Sequence, residues 1–223
     1  MKGGVILFRG SGAAARRYVE ADRSRANEYY LGADNAVAEY AVLDAHGEVT
    51  VTHSLTAEEY EGWVDWTDPI AGELMGTPRK PGEGSKGSPL FAEMTINAPK
   101  SLSVAAALHP EVSAALDQAQ QDALAEIRRW LGQHSVTRVG PRDAREVIPI
   151  EQMQVVDIRH KTSRAGDPHR HIHMQIGTRV WAAGKWLALD TAALFKQQGA
   201  IRALGTAVIA AHPHLTQTLA EHG

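Results

Sequence analysis

Apolar and polar residues alternate along Phe91-Ala-Glu-Met-Thr-Ile-Asn97. That period of two belongs to a strand and puts Glu93, Thr95 and Asn97 on one face. A different rhythm governs 110–131, where Val112, Leu116, Ala119, Ala123, Ile127 and Trp130 recur every three or four residues. They form the apolar stripe of an amphipathic helix. Further strands are predicted near 136–139, 153–161, 171–180 and 185–189, and Val5-Ile6-Leu7-Phe8 reads as a short buried strand. Helices are predicted over 13–31, with a break within 22–27, and from Pro99 to Leu108, with proline at the start. Thr56-Ala-Glu-Glu59 has the form of a capping box opening a helix to about Val64. Asp190 caps another that runs to about Ala211, weakened by Gly199 and Gly205. The stretch 76–89 is rich in Gly, Pro, Ser and Lys and reads as a flexible loop. Hairpins mixed with helices predict an α+β fold around a mostly antiparallel sheet.

Composition changes this picture in two ways. The chain has no cysteine, so a metal here would be held by histidine and carboxylate. Its net charge of −3 argues against a nucleic-acid partner taken as a whole, yet the charge is uneven. Residues 58–73 hold six acidic and no basic side chains, whereas Arg138, Arg142, Arg145, Arg159, Lys161, Arg164 and Arg170 follow one another later. A locally basic face is therefore expected on an acidic chain. No apolar run approaches the roughly 20 residues of a membrane span, and no signal peptide is evident at the start, so membrane insertion is not expected and a cytoplasmic location is.

The basic stretch also carries the histidines. His171 and His173 flank Ile172 within an alternating run and so share one strand face. His160 ends an earlier β-like run, Val155-Val156-Asp157-Ile158-Arg159-His160. Gly166-Asp167-Pro168 between them reads as a turn, and a hairpin there would bring His160 to the pair. Neighbouring imidazoles on one face can share a single cation, so His160, His171 and His173 are the predicted ligands. His169 lies on the same face but at the turn, and is read as a supporting or outward-facing residue.

A metal beside basic residues suggests phosphoryl chemistry, in which the cation neutralises charge on a phosphate. All five tyrosines, at 18, 29, 30, 40 and 60, precede the histidines. Tyr18, the Tyr29-Tyr30 pair, the segment Glu93-Met-Thr-Ile-Asn-Ala-Pro-Lys-Ser-Leu-Ser103, Thr162-Ser163-Arg164, Asp167-Pro168 and the histidine spacing stand in one order. In that order, over nearly its whole length, the chain resembles conjugative relaxases of the TrwC/TraI type in the HUH endonuclease superfamily.

The resemblance implies one relaxase domain over 1–223, with no helicase segment in it, built on a five-stranded antiparallel palm flanked by helices. It implies a divalent cation on His160, His171 and His173, magnesium or manganese in the first instance, with zinc or another transition metal as the alternative. Tyr18 would cut one DNA strand at a plasmid origin of transfer, next to a hairpin, leaving a 5′-phosphotyrosine; other relaxosome and coupling proteins would be partners. Two departures from the family pattern matter. Val19 follows Tyr18 where tandem tyrosines are usual, so a second transesterification would need Tyr29 or Tyr30, or would not use this domain. Glu93 stands where the family has aspartate, and is expected either to accept the phenol proton or to orient a ligand imidazole. Competing readings are an origin-recognition domain that binds without cutting, and an unrelated His-x-His metalloenzyme such as a cupin or a zinc hydrolase. The chain lacks the glutamate that a cupin needs soon after the pair, since no carboxylate follows His173 until Asp190.

Overall fold

Strand β4 (Phe91–Asn97) occupies the alternating segment and pairs antiparallel with the long β8 (Pro168–Ala182) along its whole length. A computed structural model describes residues 4–23, 37–141, 143–163 and 165–222. Beyond β8 the sheet continues through β7 (Gln152–Thr162), β2 (Ala38–Asp44) and β3 (Val49–Leu55), every pair antiparallel. These five strands are the palm. Among the described residues the sheet has seven strands, because β1 (Ile6–Phe8) extends the edge beside β4 and β9 (Lys185–Ala188) folds back on the end of β8. As an edge strand, β1 leaves Ile6 exposed instead of buried. A separate ribbon joins β5 (Val136–Val139) to β6 (Glu146–Pro149). Strands β2, β3 and β6 are additional to those read from the sequence.

Helices cover both faces. On one side lie α3 (Lys100–Leu108), α4 (Pro110–His134), α5 (Thr191–Ala210) and α6 (Pro213–Glu221). The α4 stripe Val112, Leu116, Ala119, Ala123 and Ile127 is fully buried there against Met94, Ile96, Val155, Ile172 and Met174. Trp130, at the end of that stripe, is only partly buried and donates from Nε1 to Gln197 on α5 at 2.9 Å. Gly132 meets the β2–β3 turn so closely that a methyl group in its place would sit 2.2 Å from the Gly47 nitrogen. On the other side α1 (Gly12–Arg23) and α2 (Ala57–Val64) pack on Tyr40, Phe91, Val156 and Ile158. The α2 capping box forms as expected, Thr56 Oγ1 accepting from Glu59 N and Glu59 Oε2 from Thr56 N. Asp190 accepts from Ala192 N and Ala193 N at the start of α5, which runs unbroken through Gly199 and Gly205.

The stretch 76–89 forms no helix or named strand, but its backbone folds back on itself. Ser88 N donates to Arg79 O at 2.9 Å, and Gly82 and Ser85 exchange hydrogen bonds. Lys80 and Lys86 are exposed at its tip. Among the described residues no helix is long and apolar enough to cross a membrane.

Candidate active site

The β7–β8 hairpin builds the site. Ser163 N donates to Asp167 O and Gly166 N to Ser163 O, both at 2.9 Å, closing the turn that Gly-Asp-Pro signals. Gly166 takes a φ of 84°, which a residue with a Cβ adopts only under strain. The resulting register sets His160 opposite His171 and Ile158 opposite His173. The period of two then puts all three imidazoles on the face covered by α1 and α2. Their ring centres are 5.1 Å (His160–His171), 5.1 Å (His160–His173) and 4.9 Å (His171–His173) apart. One nitrogen from each lies within 4.8 Å of the others, close enough for a single cation.

Hydrogen bonds decide which nitrogens face the centre. His171 Nδ1 is 2.8 Å from His169 O, an oxygen that can only accept, so Nδ1 carries the proton and Nε2 keeps its lone pair. His173 Nδ1 donates to Glu93 Oε1 at 2.9 Å, with the same consequence. His169 thus supports the site through its backbone. Burial, followed by the neighbouring histidines, holds His171 down to about 4, so the ring is neutral at pH 7 and suited to ligation. Glu93 is buried on β4, and burial works to raise its carboxyl. The hydrogen bonds from His173 and from the amide of Gln175 outweigh that and hold it below the usual carboxylate range.

Tyr18 reaches the same place from α1. Its ring stands edge-on to His173, centres 6.4 Å apart, and it is 38% exposed. Gly12 lets α1 come this close to α2: its N donates to Asp65 Oδ1 at 2.9 Å, and a Cβ there would meet Glu61 O at 2.3 Å. Val19 points the other way and is buried among Ala15, Tyr60 and their neighbours. Among the described tyrosines only Tyr18 is exposed. Tyr40 and Tyr60 are 1% and 0% exposed, and burial pushes both hydroxyls above the usual phenol range. Tyr29 and Tyr30 lie outside the described residues.

Arg138, Arg159 and Arg170 of the basic stretch do not gather around the histidines. Alternation turns Arg159 and Arg170 to the opposite side of the sheet, where Arg159 bonds Gln121 on α4 and the buried Arg170 bonds Asp117 and Ser113. Arg138 is tied to Asp190 at 2.8 Å. Arg142 and Arg164 lie outside the described residues. Arg138, Arg159 and Arg170 brace the fold. Arg170 N also donates to Ser103 Oγ at 2.9 Å, and Lys100 Nζ meets Asp167 at 2.8 Å, so α3 pins the hairpin that carries the histidines. Gln175, which donates to Glu93 Oε2 at 3.0 Å, is a site neighbour the sequence reading leaves out. The signal was present, because 171, 173 and 175 share a face.

Comparison with known proteins agrees with this architecture. No curated protein sequence matches the chain. Solved structures do. A conjugative relaxase TrwC in complex with oriT DNA, metal-bound, aligns at a TM-score of 0.71 and 20% identity, covering 96% of this chain and 69% of that one. A copper-bound form with oriT DNA gives 0.74 and 22%, over 96% and 70% of the two chains. TrwC with a 27-mer comprising the recognition hairpin and the cleavage site gives 0.68 and 19%, over 96% and 68%. At such identity the likeness is one of fold. The family model for TrwC relaxase, however, matches residues 12–219, from the start of α1 into α6. The chain belongs to the TrwC relaxase family.

Proposed function

We propose that this chain cuts and rejoins one DNA strand at a plasmid origin of transfer, with Tyr18 as nucleophile and His160, His171 and His173 as ligands of a divalent cation. The observation that carries the reading is Tyr18, the one exposed tyrosine among those described, standing against the three-histidine cluster. The donor set fits such an ion, since three imidazoles leave coordination positions open for phosphate oxygens or water. When bound, a divalent cation there supplies positive charge for the non-bridging oxygens of the scissile phosphate. Oxygen ligands and family habit favour magnesium or manganese, whereas the nitrogen donors favour later transition metals by intrinsic affinity.

The chain's own groups do the rest. The Tyr18 oxygen attacks phosphorus while the bond to the 3′ oxygen breaks. The phenol proton passes to water at the exposed hydroxyl, and the departing 3′ oxygen takes up a proton. The products are a 5′-phosphotyrosine and a 3′ hydroxyl. One phosphoester replaces another, so the step runs backwards when a 3′ hydroxyl returns, which suits strand transfer better than hydrolysis. For Glu93 the orienting role is preferred over that of proton acceptor, because both its oxygens already accept hydrogen bonds, from His173 and Gln175. Tyr29 and Tyr30 are proposed as the reserve for a second transesterification, since Val19 occupies a core position where a tandem tyrosine would have to be buried. The partner is single-stranded DNA with an adjacent hairpin, in keeping with the DNA named for the solved relatives; other relaxosome and coupling proteins belong to the same proposal.

The test is to incubate the protein with a single-stranded oligonucleotide spanning such an origin and a divalent cation, and to run a denaturing gel. A covalent adduct is expected, and Tyr18→Phe is expected to abolish it. An adduct kept by Tyr18→Phe but lost with Tyr29→Phe or Tyr30→Phe moves the nucleophile there. Binding without any adduct supports instead a non-cleaving origin-recognition domain.

A further inference from the structure

A chain of side-chain hydrogen bonds runs inward from the histidines. His173 Nδ1 donates to Glu93 Oε1 at 2.9 Å, Gln175 Nε2 donates to Glu93 Oε2 at 3.0 Å, and Tyr60 Oη donates to Gln175 Oε1 at 2.9 Å. Gln175 and Tyr60 are both 0% exposed, so neither exchanges its partner for water. Each group in this series has its direction forced. An ionised carboxylate only accepts, so the Gln175 amide must turn its NH2 to Glu93 and its oxygen to Tyr60. Tyr60 then has one role open, that of donor. Glu93, held at Oε2 by Gln175, keeps Oε1 aimed at His173 Nδ1.

We infer that Gln175 is a positioning residue of the metal site and that Tyr60 locks its amide, the two together holding Glu93 so that His173 keeps its proton on Nδ1 and presents Nε2 to the cation. This rests on the three-histidine metal reading above. Tyr60 comes from α2 and Gln175 from β8, so the relay also ties the helix that supports α1 to the strand bearing two ligands. Outer partners of ligand histidines typically change metal affinity by about 10- to 100-fold when removed.

The experiment titrates Co2+ alone into the wild-type chain and reads affinity and the visible absorption of the bound ion. Gln175→Leu is expected to weaken affinity by about 10- to 100-fold and to alter the spectrum. Tyr60→Phe, which deletes one oxygen, is expected to weaken it by about fivefold, the worth of one hydrogen bond. Because Tyr60 acts through Gln175, adding Tyr60→Phe to Gln175→Leu should change nothing further. Gln154→Leu is the control. That buried amide lies under the same helices, bonded to Trp63 and Asp68, and its loss should lower stability with affinity unchanged. Wild-type affinity and spectrum in Gln175→Leu, or a full additional effect of Tyr60→Phe in that background, would overturn the inference. Should Gln175→Leu not fold, wild-type affinity in Tyr60→Phe overturns it alone. Binding that depends on His171 but not on Gln175 removes only this inference; binding that ignores His171→Ala removes the metal reading with it.

Discussion

Single residues differ here in how far their neighbours along the chain reveal their work. His160, His171 and His173 were legible because a turn signal and strict alternation are both local, and together they place three rings on one face. His171→Ala removes one of three donors and leaves a buried gap beside the other two. Metal affinity measured by titration is expected to fall by at least about 100-fold, with adduct formation lost, since a ligand should matter no less than its outer partners. Arg159 and Arg170 show the opposite case. They flank the histidines in sequence, yet alternation sends them to the α4 side, where the buried Arg170 pairs with Asp117. Asp190 is a cap read correctly from the residues that follow it. Burial would raise its carboxyl, but Arg138 and the Ala192 and Ala193 N–H groups hold it below the usual range. The folded state therefore gains from this ionised group above the unfolded value near 3.9, and loses that gain as pH falls through the lower folded value. Asp190→Ala should cost about 1 kcal/mol at neutral pH and flatten the acid limb of a stability–pH curve, which denaturant melts would show. An unchanged acid limb would deny the cap that role.

At the scale of elements, strong periodicity was enough for α4 and β4, and the capping box for α2. Strand β3 alternates as well, but it is mostly exposed and its pattern of Val, Thr and Ser gives no buried face to recognise. The helix that carries Tyr18 depends on a contact no local pattern encodes. Gly12 and Asp65 are 53 residues apart, and only the absence of a Cβ allows α1 to reach α2. Gly12→Ala is therefore expected to push α1 outward and slow adduct formation by about 100-fold, the usual penalty for roughly 1 Å of misplacement. Metal affinity should stay at the wild-type value, because the proposed ligands sit on β7 and β8. A variant with normal adduct rates, or with both properties lost, would contradict this division of labour.

Across the whole molecule, the palm is held between two apolar layers, and the α4 layer is the larger. Leu124 is fully buried there, away from the histidine face, and Leu124→Ala should destabilise by about 2–5 kcal/mol in a denaturant titration. A cation that binds only the folded chain stabilises it by about 2.7 kcal/mol at 100 times its Kd, so a chelator should lower Tm in wild type and leave His171→Ala unmoved. An equal chelator effect in both would place the metal elsewhere. DNA affinity should fall linearly on logarithmic axes with salt, at about 0.7 units of slope per phosphate neutralised on a single strand. Flat salt dependence would count against a phosphate-bound partner.

Taken alone, the sequence determined the kinds of most elements, the hairpin that groups the histidines, and the short list of tyrosines. Those are properties of periods and turns, set by neighbours a few residues apart. The tertiary structure decided which tyrosines are buried and that Tyr18 meets His173 from another element. It also decided that Glu93 is shared between His173 and Gln175, and that Arg159 and Arg170 serve the far side of the sheet. Each of these depends on groups brought together by packing across tens of residues. No local rhythm of apolar and polar positions specifies which face a distant helix will cover.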